Sequence, residues 1–96
     1  MLHLVFTHNQ AQQVLEFIKE SDAVVFLENS TLRLNNKALF SSALTSWVHQ
    51  VKFYVLAPDI QLRGIDSQAL SPHIDIIDYA EFVALTQQHE VTKTWS

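Results

Sequence analysis

Five histidines, His3, His8, His49, His73 and His89, and the acids Glu28, Asp59 and Asp78 are the side chains of this sequence best suited to chemistry. His8 could accept a phosphoryl group at a helix start, but Thr7-His8-Asn9-Gln10 has no glycine to fold backbone amides around an anion. A solvated or interface histidine is the plainer reading. Glu28 and Asp59 could pair for metal or phosphate chemistry, as in a phosphoacceptor receiver. That design needs acids by the first strand and a lysine after a late one, and neither is present. Asp78 stands where a helix N-cap belongs, with Glu81 three residues on, so the backbone claims its carboxylate. No His-x-x-x-His pair, glycine-rich phosphate loop or Gly-x-Ser-x-Gly elbow occurs, and there is no cysteine. Disulfide and thiol chemistry are excluded. No catalytic residue, cofactor site or metal site is expected.

The elements that would position these groups alternate in type. Leu2 to Phe6 reads as a first strand. Asn9, with Gln12 as its reciprocal partner, should cap a helix running to about Glu20, whose Ala11, Val14, Leu15 and Ile18 share one face. Ala23 to Leu27 is an unbroken β-branched and aromatic run, the signature of a strand buried on both sides of a parallel sheet. Glu28 to Thr31 reads as a polar turn. Asn35 or Asn36 should cap a second helix carrying Leu39, Phe40, Ala43, Leu44, Trp47 and Val48. A third strand, Val51 to Ala57, is stopped by Pro58, and Asp59 to Arg63 makes one helical turn closed by the lone glycine, Gly64. Residues 66–72 read as loop, Ile74 to Ile77 as a fourth strand, and Tyr79 to His89 as a helix on which Tyr79, Phe82, Val83 and Thr86 recur at helical spacing. Val91 to Trp95 is a fifth short strand or edge segment. Such alternation implies an α/β fold, a mostly parallel sheet of about four to five strands with helices on its faces and right-handed crossovers. In such sheets ligands gather outside the carboxyl ends of strands, here Thr7 and His8, Glu28 and Asn29, Pro58 and Asp59, and Asp78.

Ninety-six residues suit one domain, 1–96. An apolar share of 48% on so small a body, with only 17% charged, leaves apolar groups outside the core and favours a surface covered by a partner. Phe40, Trp47 and Trp95 are the candidate interface residues. Trp95 is the odd aromatic, since a chain end is normally mobile and its indole needs cover. The net charge of −4, with Lys19, Arg33, Lys37, Lys52, Arg63 and Lys93 scattered, argues against direct nucleic-acid binding. No apolar run approaches a membrane span and the opening strand is too short for a signal peptide, so a soluble cytoplasmic protein is expected.

The closing block adds identity to this physics. Asp75-Ile-Ile-Asp-Tyr, then Phe82-Val-x-Leu-Thr-x-x-His, then Thr94-Trp-Ser resembles the TusB/DsrH family of sulfur-relay subunits. The Met1-Leu2-His3 opening, the Lys52 to Leu56 strand and Arg63-Gly64-Ile65 extend the resemblance over most of the chain. It implies a flavodoxin-like (DsrE/F/H-like) fold. It also implies assembly with TusC-like and TusD-like subunits into a heterohexamer that relays persulfide sulfur toward 2-thiolation of the tRNA wobble uridine. A DsrH-like place in a sulfur-oxidation complex is the alternative. A free-standing small-molecule binder near Asn29 and Asp59, or a His8 phosphocarrier, are the further rivals. Without a thiol the chain cannot carry sulfane sulfur, so the resemblance implies a structural subunit, sticky or self-associating when alone.

Overall fold

A computed structural model describes residues 1–7, 9–34, 39–70 and 72–96, with the side chains of 39–41 left out. His8, the Asn35 and Asn36 cap positions and the Phe40 side chain lie outside the described residues.

Five strands, β1 (Leu2–Val5), β2 (Ala23–Phe26), β3 (Lys52–Leu56), β4 (Ile74–Ile77) and β5 (Thr92–Trp95), form one sheet in the order β4-β3-β2-β1-β5. Every pairing is parallel, with Leu2 opposite Ala23 and Thr92, Ala23 opposite Lys52, and Phe53 opposite Ile74. β2, the central strand, is buried at all four positions, as its unbroken apolar run demands. The edge strands are more exposed: β4 is buried only at Ile74 and Ile77, and β5 only at Trp95. The helices are α1 (Gln10–Val14), α2 (Leu39–Thr45), α3 (Ala57–Leu62) and α4 (Tyr79–Gln88), with 3-10 segments at Glu28–Arg33 and Ser67–Ala69. Flavodoxin itself runs 2-1-3-4-5, so the architecture is shared while the strand order differs. Among the described residues no helix is long and apolar enough to cross a membrane.

The two-residue period of the strands sorts the core into two layers. Val5, Val24, Phe26, Phe53, Val55, Ile74 and Trp95 face Ala11 and Val14 of α1, Leu44 of α2 and Ile60 of α3. Phe26 and Phe53 stack with centroids 6.3 Å apart, each fully buried ring contributing about 3 kcal/mol. On the opposite face Leu2, Ala23, Val25, Leu27, Leu56 and Ile77 meet Leu85 and Phe82 of α4. Right-handed crossovers explain the division: the chain moves one way from β1 to β4, then back across the sheet to β5, which sends α4 alone to the second face.

Local detail departs from the sequence expectations in several places. The first helix ends at Val14 rather than near Glu20, because Glu16 and Phe17 donate to carbonyls only three residues back, tightening the chain into a 3-10 closure. Asn9 lies at αR dihedrals and its side chain makes no cap bond. The polar turn after β2 is a 3-10 helix, and so is part of the 66–72 loop, where the Asp66 carboxylate accepts the Gln68 N–H at 2.9 Å. α4 starts at the edge strand, so its first turn overhangs the sheet: Leu85 is buried and Phe82 half-buried, while Tyr79 is 65% and Val83 37% exposed. The capping box on α4 forms as expected, Asp78 Oδ1 accepting the Glu81 N–H at 2.8 Å and Glu81 Oε1 accepting the Asp78 N–H at 3.2 Å.

Candidate functional site

At the carboxyl ends of β2 and β3 the structure brings together Glu28, Asn29, Asp59 and Arg63. Glu28 has φ +50°, a left-handed conformation that costs a non-glycine residue about 1 kcal/mol or more. Asp59, in the first turn of α3, stabilises it by accepting the Glu28 backbone N–H at Oδ2, 2.8 Å away. Arg63, one helical turn later, donates from Nε to Asn29 Oδ1 at 3.1 Å and from Nη1 to the Asp59 carbonyl at 3.2 Å. Glu28 and Asp59 are therefore not a pair of carboxylates turned on a shared ligand; Asp59 is occupied by the Glu28 backbone. Beneath them the buried Ser30 hydroxyl accepts the Leu27 N–H at 3.0 Å and lies within 2.7 Å of the Val5 and Leu27 carbonyls. With one hydrogen it donates to one of these at a time, and it locks β1 to the loop after β2. Asp78 stands apart, engaged in capping.

A second polar cluster, not anticipated from the sequence, joins the chain's two ends. His3 is fully buried on β1. Its Nε2 lies 2.9 Å from Asp22 Oδ2, and its Nδ1 accepts the indole N–H of Trp95 at 3.1 Å. Asp22 also accepts the Lys19 backbone N–H at 3.0 Å and the Met1 amino group at 3.1 Å. Burial pushes the Asp22 carboxyl up, but the bonds from His3, Lys19 and Met1, with the Met1 charge, outweigh it and hold the carboxyl below its ordinary value. An indole nitrogen only donates, so neutral His3 carries its proton on Nε2 and presents it to Asp22. A Trp-His-Asp chain resembles a relay, but tryptophan is no nucleophile and the imidazole is sealed from solvent, so its task is to hold β5 against β1. The signal was available: a histidine at a strand position facing the same layer as Val5 must find partners for both nitrogens.

Of the candidate interface residues, Trp95 is covered within the chain. It is 8% exposed, sits in the first core layer and packs against Phe17, with ring centroids 5.3 Å apart. Lys93 Nζ lies 4.5 Å from the Trp95 ring centroid, within cation–π range. The premise of an uncovered terminal indole does not hold, because pairing of β5 with β1 carries the residue into the core. Trp47 is half-buried against the same layer. Among the described residues the large apolar side chains left in solvent are others: Tyr79 and Val83 on α4, Ile76 and Val91 on the segments flanking it, Leu32 and Leu62 beside the carboxyl-end cluster, and Met1 and Phe17. Tyr79 and Phe82 have ring centroids 6.0 Å apart.

With the sheet order and the closing strand in place, the comparisons with known proteins fall into line. The family model described as DsrH like protein matches residues 5–92. The chain belongs to the DsrH-like family. A protein named TusB from Pectobacterium parmentieri is 33% identical over 99% of this chain and 100% of its own length. One of the same name from Buchnera aphidicola subsp. Acyrthosiphon pisum is 31% identical over 85% and 83% respectively. Among solved structures, the ychN protein of E. coli superposes with a TM-score of 0.75 at 13% identity, covering 98% of this chain and 97% of its own. A protein of unknown function from Methanobacterium thermoautotrophicum, MTH1491, gives 0.74 at 11% identity, covering 97% and 95%. At such identity these two speak for the fold: the DsrH-like chain shares their α/β architecture from end to end.

Proposed function

We propose that the chain is a non-catalytic structural subunit of a sulfur-relay complex that passes persulfide sulfur toward 2-thiolation of the tRNA wobble uridine, with TusC-like and TusD-like subunits as its partners. The observation that carries this reading is the absence of cysteine from a member of this family. Sulfane sulfur is handed from thiolate to thiolate, and no other side chain accepts it as a persulfide. The chain therefore serves its complex by contact. The polar groups at the strand ends support this, being occupied by the fold: Asp59 with Glu28, Arg63 with Asn29, Asp78 with α4. The apolar surface suited to contact is the outer side of α4, where Tyr79 and Val83 stand in solvent above a sheet face that a single helix covers. Buried tyrosines are over-represented among the residues that dominate interface energy. Trp47, half-buried on the opposite layer, is a second contact candidate; Trp95 supports association indirectly by holding β5 in place.

The test is co-expression with TusC-like and TusD-like subunits, followed by sedimentation and transfer of labelled sulfur from a cysteine desulfurase system. The complex should be stable, with label on a partner and none on this chain. Persulfide label on this chain, or a chain that stays monomeric in the presence of both partners, overturns the reading.

A further inference from the structure

Away from the carboxyl-end cluster, at the amino ends of β2 and β3 and beside His89 at the end of α4, lies an open cavity of about 410 Å³. Its wall includes Asp22, Val48, His49, Val51, Lys52 and His89. Three of these can carry positive charge, and the side chains of His49, Lys52 and His89 have no hydrogen-bond or ion-pair partner among the described residues. The one acid on the wall is already neutralised from behind, since both Asp22 oxygens are engaged by Met1, His3 and Lys19. Glu20 and Glu90, next in sequence to wall residues, are exposed and do not line the cavity. On a chain of net charge −4, this gathers an unpaired ammonium and two unpaired imidazoles in one concavity beside the half-buried Val48.

We propose that this cavity binds a small organic anion, a phosphomonoester on an apolar body. Lys52 Nζ and the N–H groups of His49 and His89 donate to the phosphate oxygens, and the half-buried Val48 contacts the apolar body. A volume in the range of small-molecule sites fits such a ligand better than a bare ion. Lysine holds a phosphate as a point charge, and imidazole N–H groups add directional donors to it. The site is independent of the sulfur-relay reading, because it lies at the opposite end of the strands from the cluster discussed there and needs no partner subunit.

The probe is phenyl phosphate, with phenol as the uncharged control, titrated into the full chain and followed by heteronuclear NMR. Phenyl phosphate should shift the signals of residues 21–23, 48–52 and 89 saturably. Phenol should leave them unmoved. Lys52→Gln should weaken binding about threefold or more, and the double variant His49→Gln/His89→Gln should weaken it by about as much. His49 and Lys52 are exposed and His89 half-exposed, so the circular dichroism of these variants should match wild type. Absence of saturable shifts at these residues, equal shifts with phenol, or undiminished affinity in the Lys52→Gln and double-histidine variants overturns the proposal.

Discussion

The indole N–H of Trp95 donates to Nδ1 of His3 across 3.1 Å, joining residues 92 positions apart. Because the donor cannot reverse, the bond sets the tautomer of the neutral imidazole, aims its other nitrogen at Asp22, and links the last strand to the first through a buried polar chain. Every member of that chain is satisfied: among the described residues no buried side-chain nitrogen or oxygen lacks a partner.

Trp95→Ala should accordingly destabilise the fold itself, by about 3 to 5 kcal/mol, since it empties a core position and strands the His3 Nδ1. Trp95→Phe should keep most of the packing and lose the hydrogen bond, at about 1 to 3 kcal/mol. Urea unfolding followed by circular dichroism separates the two, and a fully stable Trp95→Ala chain would contradict the network.

The depressed carboxyl of Asp22 makes stability depend on pH. Its unfolded value, near 3.8, lies above its folded one, so the unfolded chain binds the proton more readily and stability rises with pH across that window. The contribution is fully present above the unfolded value and is lost as the pH falls through the folded one. Unfolding free energy should fall on acidification below about pH 4, and Asp22→Asn should be less stable at neutral pH and respond less to acid. Equal acid dependence in both proteins would count against this assignment.

Tyr79→Ser with Val83→Ser should leave the melting temperature nearly unchanged, since surface substitutions usually move stability by about 0.5 kcal/mol or less. Association with the partner subunits should weaken about thirtyfold or more, the equivalent of an interface residue costing about 2 kcal/mol. Sedimentation of wild type and double variant with both partners measures it; unchanged association would place the contact elsewhere.

Gly64→Ala should cost about 1 kcal/mol. The cause is conformational: φ is +66° and a Cβ there would meet no atom within 4 Å. Asp78→Ala should cost a similar amount, about 1 kcal/mol, by removing the α4 N-cap. Thermal or urea unfolding reads both, and additivity is expected because the sites share no partner.

Much of this was legible along the chain because it is local. The Asp78 and Glu81 capping box, the Gly64 stop and the unbroken run of β2 each depend on neighbours a few residues away, and each stands where the pattern placed it. The first helix is shorter than its apolar spacing predicts because the spacing of Ala11, Val14 and Ile18 is equally served by a chain that tightens after Val14; all three are buried. The spacing on α4 predicts one apolar stripe, but which part of it turns inward depends on where the helix crosses the sheet.

The sequence by itself determined the alternation of strands and helices, the parallel sheet and the exclusion of thiol chemistry, since periodicity and composition belong to the chain alone. Only the tertiary structure decided that β5 returns to pair with β1, and with it the fate of His3, Asp22 and Trp95. Those three are far apart in sequence, and a side chain's partner across such a distance is chosen by strand order, which no local pattern encodes. The same crossover left α4 alone on its face with Tyr79 in solvent, so burial there followed from topology and not from hydrophobicity.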